Sequence, residues 1–327
     1  MPTWAKKLRI DPYVLALLAT VGAASILPAS GVAATGLNIA AKVIVAALFF
    51  LHGAKLSREA VIAGLLHWRL HLTVLAVTFG LFPLLGLAIS ATHILPVQLG
   101  LGVLFLCCLP STVQSSIAFT SIARGNIPAA VCAASASNIF GMVLTPLLVG
   151  LTMHAQGGGG FSPSTLQSIA LQLLAPFIAG QVLQPWIKGW MQRTGRLLGF
   201  VDRGSILVIV YAAFSEAVIQ GLWQKVAAAD LVLVGLICAA LLALVLFTTL
   251  RIARALKFST EDEITILFCG SKKSLVSGAP MAAILFPPAT AGVMILPLML
   301  FHQMQMMACA VIAQRYAQRV QEPVAPV

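Results

Sequence analysis

Long apolar runs alternate with short polar segments along the whole chain. Each run is close to the length of about 20 residues that an α-helix needs to cross a bilayer. The polar segments between the runs are too short to form a soluble domain. The pattern therefore predicts ten membrane spans, at 12–29, 37–55, 68–91, 97–123, 127–153, 165–188, 204–223, 229–250, 263–286 and 290–314.

The composition indicates a polytopic α-helical membrane protein and excludes an ordinary soluble domain. The 327 residues are 60% hydrophobic and only 9% charged, whereas charged residues make up about a quarter of a soluble domain. The six cysteines all fall within predicted spans without metal-ligand spacing, so we interpret them as buried thiols. A net charge of +11 would suggest nucleic acid in a soluble protein, but here it reports membrane orientation, and no nucleic-acid partner is expected.

The basic residues lie almost entirely on one side of the predicted spans. Sixteen of the twenty lysines and arginines fall on the side of the N-terminus and only Lys225 on the other, while Lys42, Lys272 and Lys273 lie within spans. Because short cytoplasmic loops carry the excess of positive charge, we expect a multi-pass protein with both termini in the cytoplasm, which in a bacterium means the inner (plasma) membrane. A cleaved signal peptide is an alternative for the first span, but its removal would leave nine spans.

A glycine-rich linker divides the predicted spans into two sets of five. We expect a first repeat at 1–155, the linker at 156–164, a second repeat at 165–317 and a cytoplasmic tail at 318–327. Because five is an odd number, the second set must run inverted relative to the first. The predicted fold is therefore an all-α membrane protein of ten transmembrane helices, arranged as two inverted five-helix repeats.

Polar residues interrupt the fourth span of each predicted repeat. In the first repeat the interruption is Leu109-Pro-Ser-Thr-Val-Gln-Ser-Ser116, and in the second it is Phe268-Cys-Gly-Ser-Lys-Lys-Ser274. Lys272 and Lys273 lie near the centre of the second span, where a charged side chain costs at least ~2.5–3.5 kcal/mol and is functional by default. Interrupted spans at corresponding positions of inverted repeats are typical of the mid-membrane binding site of a secondary transporter.

We expect the two interruptions to meet and to form a polar centre for a charged or polar solute. Unwound backbone is tolerated at membrane depth only where protein buries it or water solvates it. The half-helix ends there favour anions through their N–H groups and cations through their carbonyls. The residues expected to line this centre are Ser111, Thr112, Gln114, Ser115 and Ser116 from the first interruption, and Gly270, Ser271, Lys272, Lys273 and Ser274 from the second.

At these residues the sequence resembles the bile acid:sodium symporter family, and in particular its divergent orphan branch, for which the motif Phe268-Cys-Gly-Ser-Lys-Lys-Ser274 is characteristic. A second block, Thr120-Ser-Ile-Ala-Arg-Gly-Asn126 followed by Ser135-Ala-Ser-Asn138, is similar to the family's fourth-to-fifth-span region. The resemblance covers essentially the whole chain. It implies crossed, broken spans four and nine. It also implies a core domain of spans three to five and eight to ten, which moves against a panel domain of the other four.

The resemblance also implies an ion site, and this chain departs from it. In sodium-coupled members, polar residues of spans four and five hold one ion, and the matching neighbourhood here is Ser115, Ser116, Ser135, Ser137 and Asn138. The family's ninth-span acidic residue is replaced by Phe268, and its nearby glutamine falls at or beside Lys272. Sodium coupling therefore does not carry over from the resemblance.

These features predict a secondary-active carrier of a small organic anion, such as a bile-acid-like or carboxylate-like solute, that works by alternating access. Our hypothesis is that the ammonium of Lys272 or Lys273 replaces a sodium ion, and either neutralises the solute or cycles a proton. Sodium or a proton would be the coupling ion, and no cofactor or metal site is expected. Glu216 could line the cavity from the panel side.

Two other functions remain as alternatives. A regulator could keep the transporter fold without moving a solute, and solute flux that depends on the lysines would separate it from a carrier. An intramembrane enzyme would use a serine or cysteine near Lys272 as nucleophile, with the lysine as base. The chain lacks the Gly-x-Ser-x-Gly and His-Glu-x-x-His motifs, and an enzyme needs no inverted repeat, so we do not expect enzymatic activity.

Overall fold

The computed structural model describes residues 12–55, 67–155 and 163–319, and all regular structure in these ranges is helical. Most of the predicted linker and of the predicted tail lies outside the described residues. We number the helices in chain order as α1 Pro12–Ile26, α2 Gly31–Lys55, α3 Trp68–Ala91, α4 Val97–Cys108, α5 Gln114–Ile122, α6 Ile127–Ala155, α7 Pro163–Arg193, α8 Gly195–Ile219, α9 Ala228–Ala255, α10 Thr260–Gly270, α11 Leu275–Leu285 and α12 Pro288–Arg319.

Six of the described helices are long and apolar enough to cross a bilayer: α2, α3, α6, α8, α9 and α12. Shorter apolar helices are found in α1 and α4. The expected class, an all-helical polytopic membrane protein, is confirmed, whereas the number of ten spans stays a prediction. The six cysteines are all buried, as expected.

Helix ends and apolar-run ends do not always coincide. The helix α2 begins at Gly31 rather than at 37, and α8 begins at Gly195 rather than at 204. An apolar run marks the part of a helix that suits hydrocarbon, but the backbone hydrogen bonds of a helix continue into polar sequence. These two helices therefore begin earlier than the apolar runs from which the spans were predicted.

Each predicted interruption contains a gap between helices, but the gaps are shorter than predicted because α5 already begins at Gln114 and α10 continues to Gly270. The backbone at Leu109 is extended after α4, and Pro110 accounts for this because proline disfavours helical geometry in the residue before it. The second gap, 271–274, ends at Ser274, whose hydroxyl oxygen accepts a hydrogen bond from the N–H of Ser277 at 3.1 Å and caps α11. If each interrupted pair counts as one and the one-turn helix Leu222–Lys225 is left aside, α1 to α6 and α7 to α12 are two sets of five, and the gap falls in the fourth helix of each.

The helices pack in two groups. The first contains α1, α2, α7 and α8, and the second contains α3 to α6 with α9 to α12. The helix α8 contacts α11 and α12 between the groups, and α6 contacts α7. Both gaps lie inside the second group, so the residues of the candidate site are held by helices that pack on one another.

Helices α2 and α7 approach each other through glycines. A Cβ atom at Gly53 would collide with the carbonyl oxygen of Phe177, and one at Gly180 would collide with that of Phe50. Backbone can approach so closely only where no side chain intervenes, as is common between helices of membrane proteins. By contrast, a Cβ atom at Gly189, also on α7, would meet nothing within 4 Å.

We expect Gly180→Ala to destabilise the protein by about 2 kcal/mol, because the added methyl group overpacks a backbone contact. The matched control is Gly189→Ala, which we expect to be neutral or slightly stabilising since alanine favours helix over glycine by up to ~1 kcal/mol. Thermal unfolding of the purified proteins in detergent measures both effects. Equal unfolding temperatures for the two variants would contradict the close approach of α2 and α7.

Candidate functional site

The two gaps meet through direct hydrogen bonds. The N–H of Ser274, in the second gap, donates to the carbonyl of Pro110, in the first, at 2.9 Å. The hydroxyl of Ser116, on α5, donates to the carbonyl of Phe268, on α10, at 2.9 Å. A Cβ atom at Gly278 would lie 2.5 Å from a methyl carbon of Leu109, so this glycine allows α11 to approach the first gap closely. The sequence-based expectation that the gaps meet is therefore confirmed.

Helix α6 holds the first gap in place with two of the predicted side chains. The N–H of Ser111 donates to the Ser137 hydroxyl oxygen at 3.0 Å. The amide nitrogen of Asn138 donates to the Ser111 carbonyl at 2.8 Å, and its amide oxygen accepts from the Ser277 hydroxyl at 2.7 Å. Because one amide contacts both the first gap and α11, Asn138 fixes their relative position.

Lys273 is fully buried, and its ammonium is enclosed by backbone carbonyls. It donates to the carbonyl oxygens of Thr78 at 2.8 Å, Cys107 at 2.8 Å and Leu109 at 2.7 Å. An ammonium has three hydrogen atoms to donate, so these bonds use its full capacity. Its nitrogen also lies 4.1 Å from the ring centre of Phe82, a distance at which the face of the ring attracts a cation.

The local backbone explains why these three carbonyls are free to accept. Cys107 and Leu109 lie at the end of α4, where the last carbonyls of a helix have no partner within it. This end of a helix also carries partial negative charge, which favours a cation. Thr78 lies in a turn of π-helix, 77–81, inside α3. Such turns alter the regular hydrogen-bond ladder and are frequent at functional sites.

Gln305, on α12, clamps the backbone of Lys273. Its side-chain oxygen accepts from the Lys273 N–H at 2.9 Å, and its side-chain nitrogen donates to the Lys273 carbonyl at 2.8 Å. The same nitrogen lies 3.0 Å from Nδ1 of His302. Gln305 was not among the site residues expected from the sequence, although a polar glutamine inside the apolar run 290–314 was an available signal.

Lys272 is also fully buried, but its surroundings are of the opposite kind. Within the described chain its ammonium has no hydrogen-bond partner. It lies 3.9 Å from the ring centre of Phe119 and 5.7 Å from that of Phe268. Both ammonium groups therefore lie over aromatic rings, but within the described chain only that of Lys273 also has carbonyl acceptors.

The remaining predicted residues are distributed unevenly around the gaps. The hydroxyls of Ser115 and Ser116 lie 2.8 and 2.9 Å from the hydroxyl oxygen of Thr112, and the Ser271 hydroxyl donates to its own helix at the Leu267 carbonyl. Gly270 is buried next to Thr249 and Val77. Three residues make no described hydrogen bond to either gap: Gln114, which is exposed, Ser135, which is half-buried, and Glu216, whose carboxylate accepts from Gln220 at 3.4 Å. Their role in the site stays a prediction.

No carboxylate in the described ranges pairs with the two buried lysines. The ion pairs of that part of the chain join Lys55 with Asp202 and Arg254 with Glu263. A site with two buried amines and no acidic partner can carry excess positive charge. This electrostatic character suits an anion better than a cation.

Comparison with known proteins identifies the family. The sequence model of the SBF-like CPA transporter family matches residues 11–318. The chain belongs to this family. Membership makes it a membrane transporter and confirms the resemblance to bile acid:sodium symporters that the ninth-span motif indicated.

Full-length relatives support the assignment. The uncharacterized protein PA2026 of Pseudomonas aeruginosa is 57% identical over 311 residues, which cover 94% of this chain and 93% of that protein. The putative symporter YfeH of Escherichia coli is 50% identical, with 96% and 95% covered. The rat protein named sodium/bile acid cotransporter 7 is 26% identical, with 94% and 92% covered.

We expect Gln305→Leu to destabilise the protein strongly, because the N–H and the carbonyl of Lys273 would lose their partners. Each unsatisfied buried group costs about 1–3 kcal/mol. The matched control is Gln303→Leu, on the same helix, where the half-buried side chain makes no described hydrogen bond to the gap. The temperature at which each purified protein loses its monodisperse chromatographic peak is the measurement. If the two variants lost it at the same temperature, the clamp would have no structural role.

Proposed function

We propose that this transporter is a secondary-active carrier of an organic anion, in which the Lys273 ammonium takes the place of a coupling sodium ion. The observation that carries the proposal is the set of three carbonyl oxygens around that ammonium, 2.7 to 2.8 Å away. In broken-helix transporters, carbonyls at half-helix C-terminal ends coordinate the coupling cation. Here a cation fixed to the chain occupies such a position.

A cation that is fixed to the chain, here called a tethered cation, removes the need for the site to bind an ion from solution. A sodium ion must bind and dissociate in each cycle, whereas an ammonium on a side chain is always present. The carbonyls at the end of α4 are thus satisfied without an ion from either side of the membrane. We therefore propose that transport does not depend on sodium.

The charge of the site supports an anionic solute. Two buried lysines lie at the gaps, and neither takes part in the described ion pairs. The N-terminal ends of α5 and α11 also begin at the gaps, and such ends favour anions. Relatives named sodium/bile acid cotransporter agree with a bile-acid-like or carboxylate-like solute of this charge.

Alternating access would move the two helix groups against each other. We propose that α1, α2, α7 and α8 form the panel domain and the other helices the core domain, within ten spans arranged as two inverted repeats. A gap in the fourth helix of each set of five supports that arrangement. The excess of basic residues in the loops of one side supports cytoplasmic termini in a plasma membrane.

One observation favours a second candidate function. The Lys273 ammonium is completely buried and fully hydrogen-bonded, as a purely structural link between helices would be. A regulator that keeps the transporter fold without moving a solute would need no more than this. Solute flux separates the two candidates.

The test is uptake of a mixed pool of radiolabelled organic anions into proteoliposomes, with sodium and proton gradients imposed separately. We expect uptake without sodium, reduced about tenfold or more in Lys273→Ala, because three buried carbonyls lose their donor and each unsatisfied buried group costs about 1–3 kcal/mol. The exposed Lys188→Ala serves as the matched control and should keep wild-type uptake.

Strictly sodium-dependent uptake would contradict the tethered cation. Flux that is equal in Lys273→Ala and in the wild type would remove Lys273 from the mechanism. A folded protein that moves no anion of the pool under either gradient would favour the regulator.

A further inference from the structure

The surroundings of Lys273 stabilise its protonated form more strongly than those of Lys272 do. Lys273 donates to three carbonyl oxygens, whereas the equally buried Lys272 has no hydrogen-bond partner in the described chain. The Lys272 nitrogen lies 3.9 Å from the ring centre of Phe119 and 5.7 Å from that of Phe268. A permanent charge is accommodated at one position and not at the other.

The magnitudes of the competing effects favour a mobile proton at Lys272. Removing an ammonium from water costs several kcal/mol even after the protein relaxes. Attraction by an aromatic face returns about 2 kcal/mol or more in a desolvated site, which is less than this cost. No hydrogen-bond acceptor offsets the rest of the desolvation cost. A neutral amine is therefore favoured at Lys272 while the site is closed to water. Contact with water or with an anion, when the site opens, would favour the ammonium.

The groups that face Lys272 supply no competing counter-ion. The titratable side chains near its amine are the thiols of Cys269, on α10, and Cys309, on α12, while α5 contributes the ring of Phe119. The nearest carboxylate along α10 is that of Glu263, which accepts from Arg254 and Tyr316 instead.

Lys273, the neighbouring cation, directs its ammonium to carbonyls of α3 and α4. The amine of Lys272 is therefore the one basic group at the described gaps that has neither a carboxylate nor a carbonyl to fix its charge.

We propose that Lys272 is the proton-exchanging residue of this carrier, and that it couples anion transport to a proton. The inference rests on the proposed function, since a proton site drives transport only in a protein that moves a solute. When the site is open to one side, the amine takes a proton from water and pairs with the entering anion. When the site opens to the other side, the ammonium returns the proton to water and the anion leaves. One proton accompanies one anionic charge, and no other bond is made or broken.

Solid-state NMR of protein in liposomes, with 15N at the lysine ε-position, observes the charge state of Lys272 directly. The chain has nine lysines, and the signal of Lys272 is identified by its absence in Lys272→Gln. If that variant does not fold, Lys272→Met or through-space correlations to the ring of Phe119 identify the signal in its place.

We expect the Lys272 signal to change from ammonium to amine as the pH is raised across a range of about 5 to 9, in which an ordinary lysine stays charged. The signal that is absent in Lys273→Gln should remain that of an ammonium over the whole range. A Lys272 signal that stays ammonium throughout, or amine throughout, would overturn the proposal.

This titration needs no solute, so its outcome is independent of the uptake experiment. A titrating Lys272 in a protein that moves no anion would refute the proposed carrier but not the proton site. Uptake with a Lys272 that does not titrate would refute the proton site alone.

Discussion

The ammonium of Lys273 connects three backbone carbonyls at the centre of the protein. One belongs to the π-helical turn of α3, and the other two lie at the broken end of α4. A buried carbonyl without a partner is costly, and so is a buried ammonium, but each satisfies the other here. The gap after α4 is thus stabilised by a side chain from the gap after α10. Each broken helix depends on the other.

A fixed cation has consequences that a bound ion does not have. It cannot be lost to either side of the membrane, so it cannot by itself couple transport to an ion gradient. It also leaves the site with a permanent positive charge, which an anionic solute can offset. The energy for solute transport must then come from another ion. The amine of Lys272, which has no described hydrogen-bond partner, is the group proposed to change its charge. In the proposed mechanism, Lys273 would hold the helices together and Lys272 would exchange a proton.

Sequence alone predicted the helical class, the two gaps and their meeting. The lengths of apolar runs and the positions of polar interruptions follow from the energetic cost of placing polar groups in a bilayer. It offered Lys272 or Lys273 as a cation that could replace sodium and did not choose between them. The acceptors of Lys273 are backbone carbonyls, which every residue carries, so no side-chain pattern reveals them. The clamp by Gln305 was missed for a related reason, since its partners are the N–H and carbonyl of Lys273 rather than a complementary side chain.

The most direct test of the tethered cation is the effect of sodium on thermal stability after the ammonium is removed. In Lys273→Ala, the three carbonyls should be left to bind an ion, and any ligand of the folded state raises its stability. We expect sodium to raise the unfolding temperature of Lys273→Ala toward the wild-type value, relative to choline at equal ionic strength. The wild type and the exposed Lys188→Ala should unfold at the same temperature in both salts. A sodium effect of equal size in the wild type, or none in Lys273→Ala, would contradict the claim that this ammonium occupies a cation site.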